Sequence, residues 1–188
     1  MAMAVLAVCA LAACTNDPAD PPTTPPVTSA APSPSATPTP TPTPDAAVPP
    51  ERPDMSRVDT ATAEAVAVYF LELYPYVLAT ADLADWDALS HPDCVFCGSV
   101  RQGVLDLQAA GRHSVGGLVT VGETRITQTS DDMWLVQFRM EQAPSSTVDA
   151  NGTASASASA PTTYDVGIAV AADTGQVLIR EVTPTRVE

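Results

Sequence analysis

The sequence contains no lysine and has few positive charges of any kind. Its 188 residues include 8 basic residues, all of them arginine, against 22 acidic residues, and the net charge is −14. Nucleic-acid binding needs clustered Lys and Arg, and so does docking on anionic lipid through a basic patch. The charge balance therefore argues against nucleic acid as a partner and against a basic membrane-docking surface.

Long hydrophobic runs and recognisable catalytic motifs are also missing. No apolar run approaches the roughly 20 residues of a membrane-spanning helix. The sequence has no Ser-His-Asp arrangement, no phosphate-binding glycine loop and no paired-carboxylate motif. We therefore predict no catalytic residues, no metal and no cofactor, and the sequence does not identify a reaction.

The amino terminus has the features of an export signal. Residues 2–13 form an apolar segment of secretory length, too short to cross a bilayer. The segment ends in Leu11-Ala12-Ala13-Cys14, which looks like a bacterial lipobox, in which small residues precede the cleavage point and the Cys thiol takes the lipid. We predict a lipoprotein signal peptide at 1–13 and an acylated, palmitate-bearing Cys14 outside the cell membrane. An ordinary signal or a short buried segment are the alternatives.

A proline-rich segment follows the predicted lipidation site. Residues 18–50 contain 13 prolines, and residues 37–44 are four consecutive Thr-Pro dipeptides. Proline fixes φ and removes a backbone donor, so the segment favours extended polyproline II over helix or sheet. We predict that residues 14–50 are the lipidated cysteine and a disordered tether. A docking motif for a proline-reading domain and a glycosylated stalk are the alternatives.

The four cysteines leave one pair for the folded domain. Cys9 leaves with the signal and Cys14 takes the lipid, so Cys94 and Cys97 remain. A leftover pair outside the membrane is expected to form a disulfide. A redox-active Cys-x-x-Cys is one alternative, although no βαβ pattern surrounds it. A metal site that includes His91 is another, although a closed zinc site uses four ligands.

Residues 51–188 begin with three predicted helices. This region has a net charge of −11, and one apolar helix face recurs at helical spacing in Val66, Tyr69, Phe70, Leu73 and Val77. Asp59 or Thr60 is expected to cap the helix, and Pro75 to kink it or to end and restart it. Asp82 opens a second, short helix, and a third runs from about residue 95 to 110.

After Gly117 the hydrophobic period changes to two, which indicates strands. We predict four antiparallel strands, near residues 118–129, 133–142, 164–170 and 177–183. Residues 143–162 are mostly Ala, Ser, Pro and Thr and are predicted to be a disordered hairpin loop. Helices followed by strands predict an α+β domain, with three helices packed on a curved four-stranded sheet as a cone with one open end.

This order of elements resembles a known fold. The residues that carry the resemblance are Ala79-Thr80-Ala81-Asp82, then Leu89, then His91-Pro92-Asp93. Together with the helix and strand order, they are similar to the nuclear-transport-factor-two-like (NTF2-like, cystatin-like) fold. With the lipobox, the tether and the Cys94–Cys97 pair, the chain resembles actinobacterial lipoproteins that bear such a domain. The resemblance implies the fold and a cone, but no activity.

Three functional hypotheses follow. The favoured one is a non-catalytic envelope module that binds a partner or a small apolar or envelope-derived ligand. The expected lining of its cavity is Tyr69, Tyr74, Trp86 and Arg139.

The other two hypotheses are an enzyme and an assembly protein. Members of the wider fold transfer protons in the manner of ketosteroid isomerase, and the candidate bases here are Asp85, Asp87 and Asp165. The assembly hypothesis is a homodimer through the sheet, with the strand Trp134–Met140 in the interface.

Overall fold

The computed structural model describes residues 46–188. The predicted signal peptide, Cys14 and most of the predicted tether lie outside the described residues. Within residues 46–188, no helix combines the length and the apolar character needed to cross a bilayer. Residues 46–50 were assigned to the tether, and within them Ala46 is buried. In the predicted domain, the side chain of Arg52 pairs with Asp85.

Within the described residues, three helices come first, and their bounds are Thr60–Thr80 (α1), Ala84–Leu89 (α2) and Val95–Ala109 (α3). Asp59 caps α1, because its carboxylate accepts from the backbone N–H of Thr62. The expected restart at Pro75 is wrong, since α1 is one helix of 21 residues that passes through this proline. Tertiary packing compensates for the lost hydrogen bond, because Pro75 is buried and its neighbours Leu73 and Val77 are in the core.

In the part of the chain that the structure describes, seven strands follow the helices: β1 Arg112–Gly116, β2 Val119–Ser130, β3 Met133–Gln142, β4 Ser145–Asp149, β5 Ala154–Ala158, β6 Thr162–Asp173 and β7 Gln176–Arg186. They form two antiparallel sheets. We call the four-stranded sheet, in the order β2-β3-β6-β7, the long sheet. We call the three-stranded sheet, in the order β1-β4-β5, the short sheet. The α+β class is confirmed, but the prediction of a single four-stranded sheet is corrected to two sheets.

Two of the three strands of the short sheet lie in the segment that was predicted to be a disordered loop. Residues 143–162 contain β4 and β5, and β4 pairs with both β1 and β5. The ladder between β2 and β3 continues into β1 and β4 across a bend, where Gly117 N–H donates to the Pro144 carbonyl and Ala143 N–H to the Leu118 carbonyl. These strands are therefore specified by continuing an established ladder and not by an apolar alternation of their own.

The core lies between α1 and the inner face of the long sheet. The inner face carries the predicted alternation of β3, with Trp134, Val136, Phe138 and Met140 all buried. On α1 the largest fully buried residue is Phe70, whose ring stacks on Trp86 of α2 with centroids 4.0 Å apart. This core holds α1 against the sheet.

Candidate functional site at the open end of the long sheet

An apolar pocket of about 120 Å³ lies between α1, α3 and all four strands of the long sheet. Its apolar walls are Leu71, Phe96, Val119, Met140, Val182 and Pro184. The inner faces of β2, β3 and β7 are directed toward α1. At the strand ends near the bend, these inner faces bring the pocket side chains together. We call this cavity the apolar pocket, and it is the candidate ligand site.

Two tyrosines also line the apolar pocket, Tyr74 from α1 and Tyr164 from β6. Burial raises the pKa of Tyr74 above its usual value, and the nearby Tyr164 raises it further. Among the described residues, neither hydroxyl has a hydrogen-bonding partner. At neutral pH the Tyr74 phenol is therefore protonated, and both hydroxyls are free to bond a ligand or water.

Of the four residues predicted to line the cavity, only Tyr74 lies in this pocket. Trp86 is fully buried in the core, where its indole N–H donates to the Cys97 carbonyl at 3.2 Å. Tyr69 is also buried, and its hydroxyl donates to Asp85. These two predictions are corrected, because both side chains fix the helices to one another.

The prediction for Arg139 is also corrected. Strand alternation turns its side chain to the outer face of the long sheet, away from the helices, where it makes a two-pronged ion pair with Asp165 at 2.8 and 3.0 Å. Both residues lie in an open depression of about 1170 Å³ that covers this face. The outer face is thus charged and solvated, whereas the apolar pocket is on the opposite side of the sheet.

The carboxylates considered as catalytic bases are engaged elsewhere. Asp85 accepts from Tyr69 at 2.5 Å and from Arg52 at 2.8 Å. Burial raises the pKa of the Tyr69 hydroxyl, and its hydrogen bond to Asp85 raises it further. Asp87 pairs with Arg101 at 3.1 Å, and Asp165 with Arg139. The structure therefore brings none of the three to the apolar pocket.

The predicted disulfide between Cys94 and Cys97 is confirmed. Both cysteines are buried, and Cys94 lies at the N-cap of α3, where its sulfur accepts from the Cys97 N–H. The loop that the disulfide closes contains Phe96, one wall of the apolar pocket. Thus the disulfide fixes part of the site, and the sulfur atoms are bonded to each other and not free as thiolates.

His91 belongs to a polar cluster that attaches the loop before α3 to β7. Arg180 approaches its Nε2 to 2.9 Å and donates to Asp93 at 3.1 Å, while the backbone N–H of His91 donates to the Ile179 carbonyl. Within residues 46–188, no group of three His, Cys, Asp or Glu side chains is arranged to hold a metal ion.

Comparison with known proteins now identifies the family. Residues 35–173 match the family of unknown function DUF6318. The chain belongs to the DUF6318 family. Among curated proteins, none matches this DUF6318 chain.

Solved structures show the fold that this DUF6318 chain shares. The intermembrane space region of the chloroplast protein ARC6 has a TM-score of 0.53 at 14% identity, covering 70% of this chain and 99% of that one. An NTF2-like superfamily protein from Salmonella enterica has a TM-score of 0.46 at 12% identity, covering 69% and 94%. A protein of unknown function with a cystatin-like fold from Nostoc punctiforme has a TM-score of 0.42 at 12% identity, covering 71% and 96%. At such identities a likeness concerns the fold alone.

Two pocket residues that were not predicted, Met140 and Tyr164, could have been found from the alternation of their strands. Met140 alternates with the buried residues of β3, and Tyr164 alternates with Val166 and Ile168 on β6. These two residues are direct partners in the β3–β6 ladder, so both lie on the inner face. Pairing the predicted strands through their alternation would have placed them beside α1.

Proposed function

We propose that the protein is a non-catalytic binding module of the bacterial envelope, and that the apolar pocket is its ligand site. The observation that carries the proposal is the pocket itself. It combines apolar walls with two unpartnered phenol hydroxyls, and no residue that lines it within the described chain has a charged side chain. Such a lining fits an uncharged apolar group that carries a hydrogen-bond acceptor.

The volume of the pocket limits the size of that group. An apolar cavity of roughly 150 Å³ in another protein stays dry and binds benzene. A pocket of about 120 Å³ therefore accepts an apolar group of about six carbons. Binding is favoured because each Å² of apolar surface removed from water contributes about 25 cal/mol.

The same lining supports a non-catalytic role over proton transfer. A general base must lie within hydrogen-bonding reach of the proton that it removes, and its pKa must be near the operating pH. The apolar pocket has no carboxylate or imidazole among its described lining residues. Burial raises the pKa of Tyr74, so its hydroxyl is suited to donate a hydrogen bond to a ligand and not to deprotonate it.

The proposal also includes the location. We infer that the chain is a lipoprotein of the actinobacterial type, attached to the outer face of the cell membrane through Cys14. The lipobox-like residues 11–14 and the proline-rich residues 18–50 support this inference. We propose that this segment acts as a spacer between the membrane and the binding domain.

Binding is tested by titrating the full chain with 1-hexanol and recording amide chemical shifts. We expect saturable shifts around Val119 and Tyr164. The variant Val119→Phe fills the pocket and should abolish them, whereas Thr127→Phe, which adds the same ring to the exposed face of the same strand, should not. Unsaturable shifts in the unaltered chain, or equal binding by Val119→Phe, would overturn the proposed site.

Anchoring is tested by feeding labelled palmitate to bacteria that produce the full chain. The label should enter the unaltered protein and the Cys9→Ala variant, and both should fractionate with the membrane. Cys14→Ala should remain unlabelled. Label in Cys14→Ala, or none in the unaltered chain, would refute the lipoprotein assignment.

A further inference from the structure

A second cavity adjoins the apolar pocket. It has a volume of about 290 Å³ and lies between α1, α3 and the strands β1 and β4 of the short sheet. Tyr74 and Gln142 line both cavities, so the two adjoin at these residues. We call the second cavity the polar cleft.

The polar cleft is rich in hydroxyl groups. Ser114 on β1 and Ser145 and Thr147 on β4 contribute side chains to its lining. Among the described residues, none of these three hydroxyls has a hydrogen-bonding partner. Each is both a donor and an acceptor, so the cleft offers several unused hydrogen-bonding groups on one side of the pocket.

Glycine at position 117 keeps this cleft open. A Cβ atom at Gly117 would lie 3.2 Å from the Cβ of Ser145 and 3.6 Å from the side-chain nitrogen of Gln142. The amide of Gln142 therefore faces the hydroxyl-lined side. A side chain at position 117 would therefore lie between Gln142 and Ser145. Because this position in the bend is glycine, that space stays open.

The two cavities have in common that no described residue lining them is charged. This is unusual in a chain of net charge −14. A bound ion would lose its hydration without gaining a counter-charge, which is costly. The overall negative charge adds a further penalty for an anion.

We propose that the apolar pocket and the polar cleft together bind one neutral amphiphile. The apolar pocket takes about six carbons of its chain, and the polar cleft takes an uncharged head group that carries several hydroxyls, such as glycerol or a sugar. The apolar pocket alone is well below the roughly 300–1,000 Å³ of a typical small-molecule site, whereas the two cavities together lie within that range. This inference rests on the proposed function and specifies its ligand class.

The test compares three six-carbon probes by calorimetric titration of the full chain: 1-monohexanoylglycerol, 1-hexanol and hexanoate. Two or three hydrogen bonds from the cleft should make the glycerol ester bind at least about fivefold tighter than 1-hexanol. Hexanoate should bind more weakly than 1-hexanol.

A double variant separates the head-group contacts from the chain contacts. Ser145→Ala with Thr147→Val removes two hydroxyls of the cleft and should reduce the glycerol ester to the affinity of 1-hexanol. The affinity for 1-hexanol itself should not change, which also shows that the variant is folded. Ser159→Ala, which removes an exposed hydroxyl between β5 and β6 outside the lining of both cavities, is the matched control and should change neither affinity.

The outcomes distinguish the two proposals. If 1-hexanol does not bind, the proposed function fails and this inference fails with it. If 1-hexanol binds but the glycerol ester binds no tighter, or hexanoate binds as well as the ester, only the neutral-amphiphile inference is overturned. The neutral-amphiphile inference would also be overturned if the double variant still bound the glycerol ester more tightly than 1-hexanol by the same factor.

Discussion

The long and the short sheet have the same kind of backbone ladder but very different side chains. The long sheet turns a continuous apolar face to α1, with Val136, Ile168, Val170 and Ile179 almost fully buried. The short sheet contains one buried apolar residue, Val148, and every residue of β5 is exposed. Hydrogen bonding is therefore common to both sheets, whereas a hydrophobic core belongs mainly to one.

This difference has a functional meaning. The long sheet supplies most of the apolar walls of the pocket, and the short sheet supplies the hydroxyls of the polar cleft. Sites for ligands are commonly built on the less stable parts of a domain. We infer that the long sheet holds the fold together and that the short sheet, which depends on it, adds head-group specificity.

The largest expected effect is on stability, and it tests the difference in buried apolar surface between the long and the short sheet. Ile168→Ala should lower the free energy of unfolding by about 2–5 kcal/mol, because it leaves a cavity in the long-sheet core. Val148→Ala removes fewer buried carbons from the short sheet and should cost clearly less. Both are measured by urea denaturation of the full chain, and equal losses would contradict the contrast.

The next effect concerns the bend that joins the sheets. Gly116 has φ +75°, and a Cβ there would lie 2.5 Å from the Pro144 carbonyl oxygen. Gly111 also has a positive φ, +65°, but a Cβ there would meet nothing within 4 Å. Gly111→Ala should cost about 1–2 kcal/mol for the left-handed conformation, and Gly116→Ala should cost more because the short-sheet ladder must shift. If the two variants were equally stable in thermal unfolding, the close approach at the bend would be unimportant.

A smaller effect is the pH dependence of the turn between β4 and β5. The backbone N–H groups of Thr153 and Asn151 donate to Asp149, and together with Arg112 they lower the pKa of its carboxyl below 3.8. The turn is therefore stabilised above this pH and loosens as pH falls through the lowered pKa. The amide chemical shifts of Asn151 and Thr153 should titrate with a midpoint below pH 3.8. A midpoint above pH 3.8 would contradict the hydrogen bonds to Asp149. Asp149→Asn should abolish this transition.

The smallest effect concerns a single contact within the short sheet. Ser157→Ala removes the exposed hydroxyl contact with Ser146, which is 2.9 Å long. Surface substitutions of this kind usually change stability by less than about 0.5 kcal/mol. Amide hydrogen exchange should accelerate in β5 and remain unchanged in β6. Acceleration in both strands would mean that the two sheets open as one unit.

The sequence predicted the long sheet because its alternation is strong. Residues 133–142 were predicted as a strand and form β3, and period two assigns each of its residues to one side of the sheet. The gap between the predicted strands 164–170 and 177–183 contains the turn between β6 and β7, where Thr174 and Gly175 have the positive φ values of a tight hairpin turn.

The short sheet was missed for a physical reason. The Ala-Ser repeat of β5 has little intrinsic preference for a strand and buries nothing, so no local signal marks it. Its pairing follows from a ladder that begins in β2 and β3 and passes the bend at Gly117. The polar cleft was missed for the same reason, because its hydroxyls come together only when that ladder continues.

The most direct test of the account is a native mass spectrum of the full-length protein, extracted from bacterial membranes under mild conditions. The account predicts extra mass that disappears on denaturation, belongs to a neutral amphiphile and is absent from Val119→Phe but retained by Thr127→Phe. A bare protein, or a bound molecule that is charged or that persists in Val119→Phe, would contradict it.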